Sequence, residues 1–252
     1  MKKISYLIIL MILSSNNALF AQKLTALEVL KKATEVAGGE TWHNPKTLLL
    51  KGDADFTPYG LADEKNAIHF DKYVMHRVFP PYNDEAHKMN GRVRFDAAYK
   101  DSTFFLLNFD GKKQTLNLSE RAKPYAKQFN LSNNFGFSII RFADKPEFQT
   151  VLLGDDFVDG FPCYMIKIID PKKNQTVFGI DKKDFYIRQV AFGTEIGFHH
   201  RIYSDFVKAK NVSFLQPTRL RIYFEGLKWV DIHWREFYVN QEIDDKVFLV
   251  GE

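Results

Sequence analysis

PTRLRIYFEGLKWVDIHWREFYVNQEIDDKVF, from Pro217 to Phe248, decides the fold. Leu220, Ile222 and Phe224 alternate with Arg219, Arg221 and Tyr223, the period-two pattern of a strand buried on one face. Past Glu225-Gly226, Val230, Ile232 and Trp234 alternate with Trp229, Asp231, His233 and Arg235. Two long strands joined by a tight turn are expected, followed by a short closing segment. A two-residue loop at Glu225-Gly226 would set Ile222 against Trp229 and Leu220 against Asp231, mixing polar and apolar on both faces. A three-residue loop, Phe224-Glu225-Gly226 with Gly226 left-handed, sets Leu220 against Val230, Thr218 against Ile232 and Arg219 against Asp231. That is the register the pattern favours. Such a hairpin belongs to a wide antiparallel sheet with one apolar face. Nothing in it names a reaction.

The N-terminus reads as a processing signal. Lys2 and Lys3 precede an almost unbroken apolar run, Ile4 to Leu13; a polar break and then ALFA, ending at Ala21, follow. This order marks residues 1–21 as a secretory signal peptide with cleavage between Ala21 and Gln22. The run is too short to span a bilayer, which takes about 20 residues. No cysteine follows it to carry a lipid, so an exported, soluble, periplasmic protein is expected. Cys163 is the single cysteine, which excludes an intramolecular disulfide. Its setting, FPCYMIKIID, is that of a buried structural thiol. Residues 22–252 suffice for one large β domain or two small ones. The net charge of +4 comes from 35 basic and 31 acidic residues, two of the basic ones in the signal. The charges are interspersed without a basic stripe, which argues against nucleic acid as a partner.

After the signal comes one clear helix. Thr25 and Glu28 form a capping box, Leu24 and Val29 a hydrophobic staple, and Leu27, Leu30, Ala33 and Ala37 a buried stripe ended by Gly38-Gly39. Strand-like runs follow at Thr47–Phe56, Asn66–Phe79, Gly91–Tyr99, Thr103–Phe109 and Gln114–Leu118. TFFLLNF is apolar on both faces and predicts a strand covered on both sides. From Ser119 to Phe148 the alternation stops. Phe135, Phe137, Ile139 and Ile140 crowd this insert, which reads as a core helix or as a plug across the sheet. Strands resume at Thr150–Leu153, Cys163–Asp170, Thr176–Ile180, Tyr186–Phe192 and His200–Val207. No internal repeat or linker divides the chain.

LTALEVLKKATEVAGGETW running into the first strand, VDGFPCYMIKIID and TVFGIDKKDFYIRQV, IYSDF followed by LQPTRLRIYF, and finally FYVNQEIDDKVF make a layout that resembles the LolA-like family of bacterial envelope proteins. The best-known members of that family carry lipoproteins between membranes. The resemblance implies a mainly β (α+β) fold: a strongly curved antiparallel half-barrel with an N-terminal helix. A helical cover, formed by the insert around NNFGFSIIRF, would cross the concave face and enclose an apolar cavity for acyl chains.

The polar clusters argue weakly for chemistry. His199 and His200 are adjacent on a strand and point to opposite faces, so they do not share a metal without a bulge. His200 and Asp205 have opposite parity. His233 shares a face with Asp231 and Arg235, the spacing of a cross-strand charge network. The chain has no G-x-S-x-G elbow and no phosphate loop. No enzymatic activity, metal or cofactor is expected. The reading is a binding protein that shields acyl chains of a lipid or lipoprotein. Phe135, Phe137 and Ile140 of the insert and Leu220, Ile222, Val230, Ile232 and Trp234 of the sheet would line its cavity. Two alternatives stand beside it. One is an envelope interaction or sensor module of the same fold, docking a membrane-protein partner with its cavity filled. The other is a hydrolase using the His199–Asp205 segment.

Overall fold

The computed structural model describes residues 23–57, 67–80, 91–126, 137–194 and 197–249. Residues 1–21, expected to be a signal peptide, and Phe135 lie outside them. Helix α1, Ala26–Ala37, begins where the capping box places it. Glu28 N–H donates to Thr25 Oγ1 at 3.3 Å and Thr25 N–H donates to Glu28 Oε2 at 2.7 Å. Its buried stripe is Ala26, Val29, Leu30, Ala33 and Ala37. Leu27 is only half-buried and Ala26 takes the inward place, a small rotation of the expected face. A single turn, α2, Glu40–His43, sets Trp42 into the interior.

Twelve strands follow: β1 Thr47–Phe56, β2 Ile68–Val78, β3 Arg92–Tyr99, β4 Ser102–Phe109, β5 Gln114–Leu118, β6 Gln149–Val158, β7 Phe161–Ile169, β8 Gln175–Asp181, β9 Ile187–Thr194, β10 Gly197–Lys208, β11 Leu215–Phe224 and β12 Leu227–Val239. They form one antiparallel sheet in the order β5-β4-β3-β2-β1-β12-β11-β10-β9-β8-β7-β6. Each strand pairs with its sequence neighbour except at two places. First and last strands pair in the middle of the sheet, and β5 and β6, joined by the insert, are its two free edges. The sheet is therefore open. It also curls. The β1 and β4 backbones would lie roughly 14 Å apart in a flat sheet, yet the rings of Phe56 on β1 and Phe104 on β4 have centroids 5.9 Å apart.

The β11–β12 hairpin departs from the expected register. Phe224 pairs with Leu227, so the loop is the two-residue Glu225-Gly226, with φ of +45° and +78° as a type I′ turn requires. Ile222 faces Val230 and Leu220 faces Ile232, because Trp229 is an extra residue inserted between Lys228 and Val230. The bulge restores the alternation that an unbroken two-residue hairpin would lose. It turns Trp229 inward, edge-on to Phe224 and Phe56 at 5.2 and 5.7 Å. Arg221, not Arg219, lies opposite Asp231. Arg219 still reaches that carboxylate diagonally, through Nε at 3.0 Å and an Nη at 2.8 Å.

The insert supplies two short 3-10 turns, Lys123–Tyr125 and Phe137–Phe142, rather than an α-helix in its described part. Ile139, Ile140, Arg141 and Phe142 are all buried, so the second turn is both cover and core. Strand β4 is covered on its outer side as well. Asn108 donates to the carbonyl of Phe248, in the closing turn Asp245–Phe248, at 2.9 Å.

Candidate ligand cavity

Alternation sends Leu48 and Leu50 of β1, Tyr73, Met75 and Arg77 of β2, and Leu220 and Ile222 of β11 to the same concave face. Between them and the cover lies a cavity of about 190 Å³. Helix α1 occupies the other part of the concave side, packed against β6, β8 and β11. The cavity sits under β1–β4 and β10–β12, with Trp42 of α2 and Arg141 of the cover in its wall.

Of the residues expected to line a cavity, Leu220, Ile222, Ile232 and Trp234 do. Val230 is buried beside them without reaching the void, and Ile140 faces a separate groove with Leu27 and Leu30 of α1. Phe137 opens the covering turn. Tyr73 of β2, Phe95 of β3 and Phe105 of β4 complete the aromatic part of the wall, and the sequence reading singled out none of them.

The polar part of the wall was not legible. Three arginines line the cavity, Arg77 of β2, Arg201 of β10 and Arg141 of the cover, with no aspartate or glutamate among the described lining residues. Arg141, 2% exposed, donates to the carbonyl of His43 and to Asn44 Oδ1 and the Pro80 carbonyl, both at 3.4 Å. It is thereby held as a strut between cover and sheet. Arg201 donates from Nε to His199 Nε2 at 2.9 Å and bonds the buried Tyr203 hydroxyl. Arg77 lies over the Phe79 ring, and its buried Nε has no hydrogen-bond partner. Burial first, then the Arg201 and Arg141 charges, lowers the Arg77 guanidinium to about 10. Burial likewise raises the hydroxyls of Tyr73 and Tyr203.

The His199–Asp205 segment does not bring its two histidines and its aspartate together. His199 is fully buried, stacked on Phe192 at 4.7 Å and edge-on to Phe224 at 4.8 Å. His200 lies on the opposite face against Tyr223, and Asp205 is exposed. Among the described residues no group of three or more His, Cys, Asp or Glu could hold a metal ion. His233 joins the charge network read from the sequence, with Nε2 3.5 Å from Asp231 Oδ1. Cys163 is buried on β7, and burial, with the nearby Asp181 charge, raises its thiol to about 11, so it is inert at neutral pH. No described helix is long and apolar enough to cross a membrane.

No protein-family model matches the sequence, and no curated protein does. Solved structures do match in fold. A DUF1329 family protein from Desulfovibrio piger is 12% identical, with a TM-score of 0.51 over 89% of this chain and 95% of that one. A putative outer membrane lipoprotein-sorting protein domain from Vibrio parahaemolyticus is 10% identical, with a TM-score of 0.48 over 88% and 95%. A LolA superfamily protein from Nitrosomonas europaea is 12% identical, with a TM-score of 0.45 over 90% and 98%. At such identities the likeness concerns fold alone, and this chain has the open antiparallel half-barrel fold, with helix and cover on its concave side, that the resemblance to the LolA-like family implies.

Proposed function

We propose that residues 22–252, freed of the signal segment 1–21, act as one exported, soluble periplasmic domain without enzymatic activity. Its role is to shield an acyl chain of a lipid or lipoprotein. The observation that carries this reading is the void of about 190 Å³ walled by Leu, Ile, Met, Phe and Trp side chains that a filled core would have closed. Burial of each methylene supplies about 0.8 kcal/mol, which is about a fourfold gain in affinity. The volume is below the roughly 300–1,000 Å³ of pockets for drug-sized ligands, so it suits a single chain. A longer one must displace the cover at Phe137–Phe142.

Native mass spectrometry of the chain exported by a bacterial host and purified without detergent tests this. Added mass that is lost on solvent extraction and identified as acyl lipid is the expected result. Affinity should then climb from octanoate through decanoate to laurate. A clean mass that stays clean after incubation with fatty acids and phospholipids would overturn the proposal. It would direct attention to a membrane-protein partner docking on the outside of the fold.

A further inference from the structure

We propose that Arg77 and Arg201 form the receptor for an anionic head group, so that the cavity takes a single-chain amphiphile ending in a carboxylate or a phosphate monoester. This rests on the acyl-chain reading and adds the chemical class of the ligand to it. A guanidinium removed from water is stabilised only by a counter-charge or a full set of acceptors. Elsewhere in this protein the rule holds. Arg188 donates to Asp181 at 2.8 Å, Arg219 and Arg221 each fork onto a carboxylate, and Arg94 chelates Asp96. Every one of those arginines has its acid.

Among the described residues, Arg77 and Arg201 of the cavity wall are the exception. The described wall contains three guanidinium groups and no carboxylate. Arg141 is committed to the carbonyls and amide oxygen that tie down the cover. Arg201 uses its Nε on a neutral histidine and bonds a neutral tyrosine. Arg77 leaves a buried Nε with no partner beside the void. Its like-charged neighbours are close enough to disfavour its protonation. An anion between Arg77 and Arg201 would neutralise that repulsion and complete the hydrogen bonding of Arg77. Oxygen on a carboxylate or phosphate matches a guanidinium in charge and fork geometry. The apolar remainder of the wall, Leu50, Met75, Leu107, Ile222 and Ile232, offers such a ligand only hydrocarbon contact. A charged end and a greasy body in one cavity define an amphiphile.

The test is calorimetric titration of the delipidated protein at mildly alkaline pH with laurate, dodecanol, dodecyl phosphate and inorganic phosphate. Laurate and dodecyl phosphate are expected to bind about tenfold or more tightly than dodecanol, the scale of a charge-assisted bond. Arg77→Met and Arg201→Met should collapse the laurate-to-dodecanol ratio toward one, and Arg77→Lys should retain part of it. Thermal melts of each variant confirm that it is folded, and the wild-type ratio alone tests the idea should a variant fail. Equal binding of laurate and dodecanol would overturn the anionic receptor while leaving acyl-chain binding intact. Binding of neither would overturn acyl-chain binding itself. Inorganic phosphate binding as tightly as dodecyl phosphate would overturn the amphiphile in favour of a small-anion site.

Discussion

His199 is packed between Phe192 and Phe224, and Arg201 donates to its Nε2, so the ring carries its proton on Nδ1 and remains neutral. Burial first, and then the Arg201 and His200 charges, hold it far below the ordinary histidine value. An unfolded chain protonates this group near pH 6.5, whereas the folded one does so only at much lower pH. The contribution to stability is thus complete above about pH 6.5 and drains away as the pH falls toward the depressed value. Between about pH 7 and about pH 5 the wild type should lose about 2 kcal/mol more than His199→Gln, which keeps an acceptor for Arg201 and does not titrate. Urea unfolding at the two pH values measures this, and equal losses would show that the ring is protonated in the folded state. Sequence parity separates His199 from His200 onto opposite faces. It says nothing about which face is dry, because that depends on Phe192 and Phe224 arriving from two other strands. The cavity arginines were hidden for the same reason: an arginine on an alternating strand reads as solvated until the opposite wall is known.

Most strands follow from local alternation, and the expected and observed limits of β1 and β5 coincide. Registers obey a different rule. The β11–β12 pairing turned on a single bulged residue, Trp229, whose inward turn packs on Phe224 of the hairpin itself and on Phe56 of the distant strand β1. A second irregularity lies at the β1–β12 seam, between Lys51 and Gly52. There the backbones approach so closely that a Cβ on Gly52 would stand 1.9 Å from the carbonyl oxygen of His233. Gly52→Ala must push the two strands apart. It should cost about 1–3 kcal/mol, as overpacking does, visible as a lower melting temperature. An unchanged melting temperature would mean that the seam yields freely.

Closure of the molecule depends on contacts between distant segments. The first strand meets the last, and the final turn, Asp245–Phe248, is clipped to the outside of β3 and β4. Arg94 donates to the Val247 carbonyl at 2.7 Å, Asn108 donates to Phe248, and Arg92 lies 4.8 Å over the Phe248 ring, which is 2% exposed. Phe248→Ala should therefore destabilise the fold by about 3–5 kcal/mol in denaturant unfolding, although it touches no part of the cavity. A loss below about 0.5 kcal/mol, the scale of an ordinary surface substitution, would show that the clip is dispensable. The sequence by itself determined the kinds of element, the antiparallel character of the sheet, and the helix and its cap. Each of these is set by spacing within a few residues, where the period of the backbone converts order into direction. Only the tertiary structure decided the bulged register, the curl that brings Phe56 to Phe104, the size of the void and the gathering of Arg77, Arg141 and Arg201 around it. Those depend on distances between side chains far apart in sequence, and no local period encodes them.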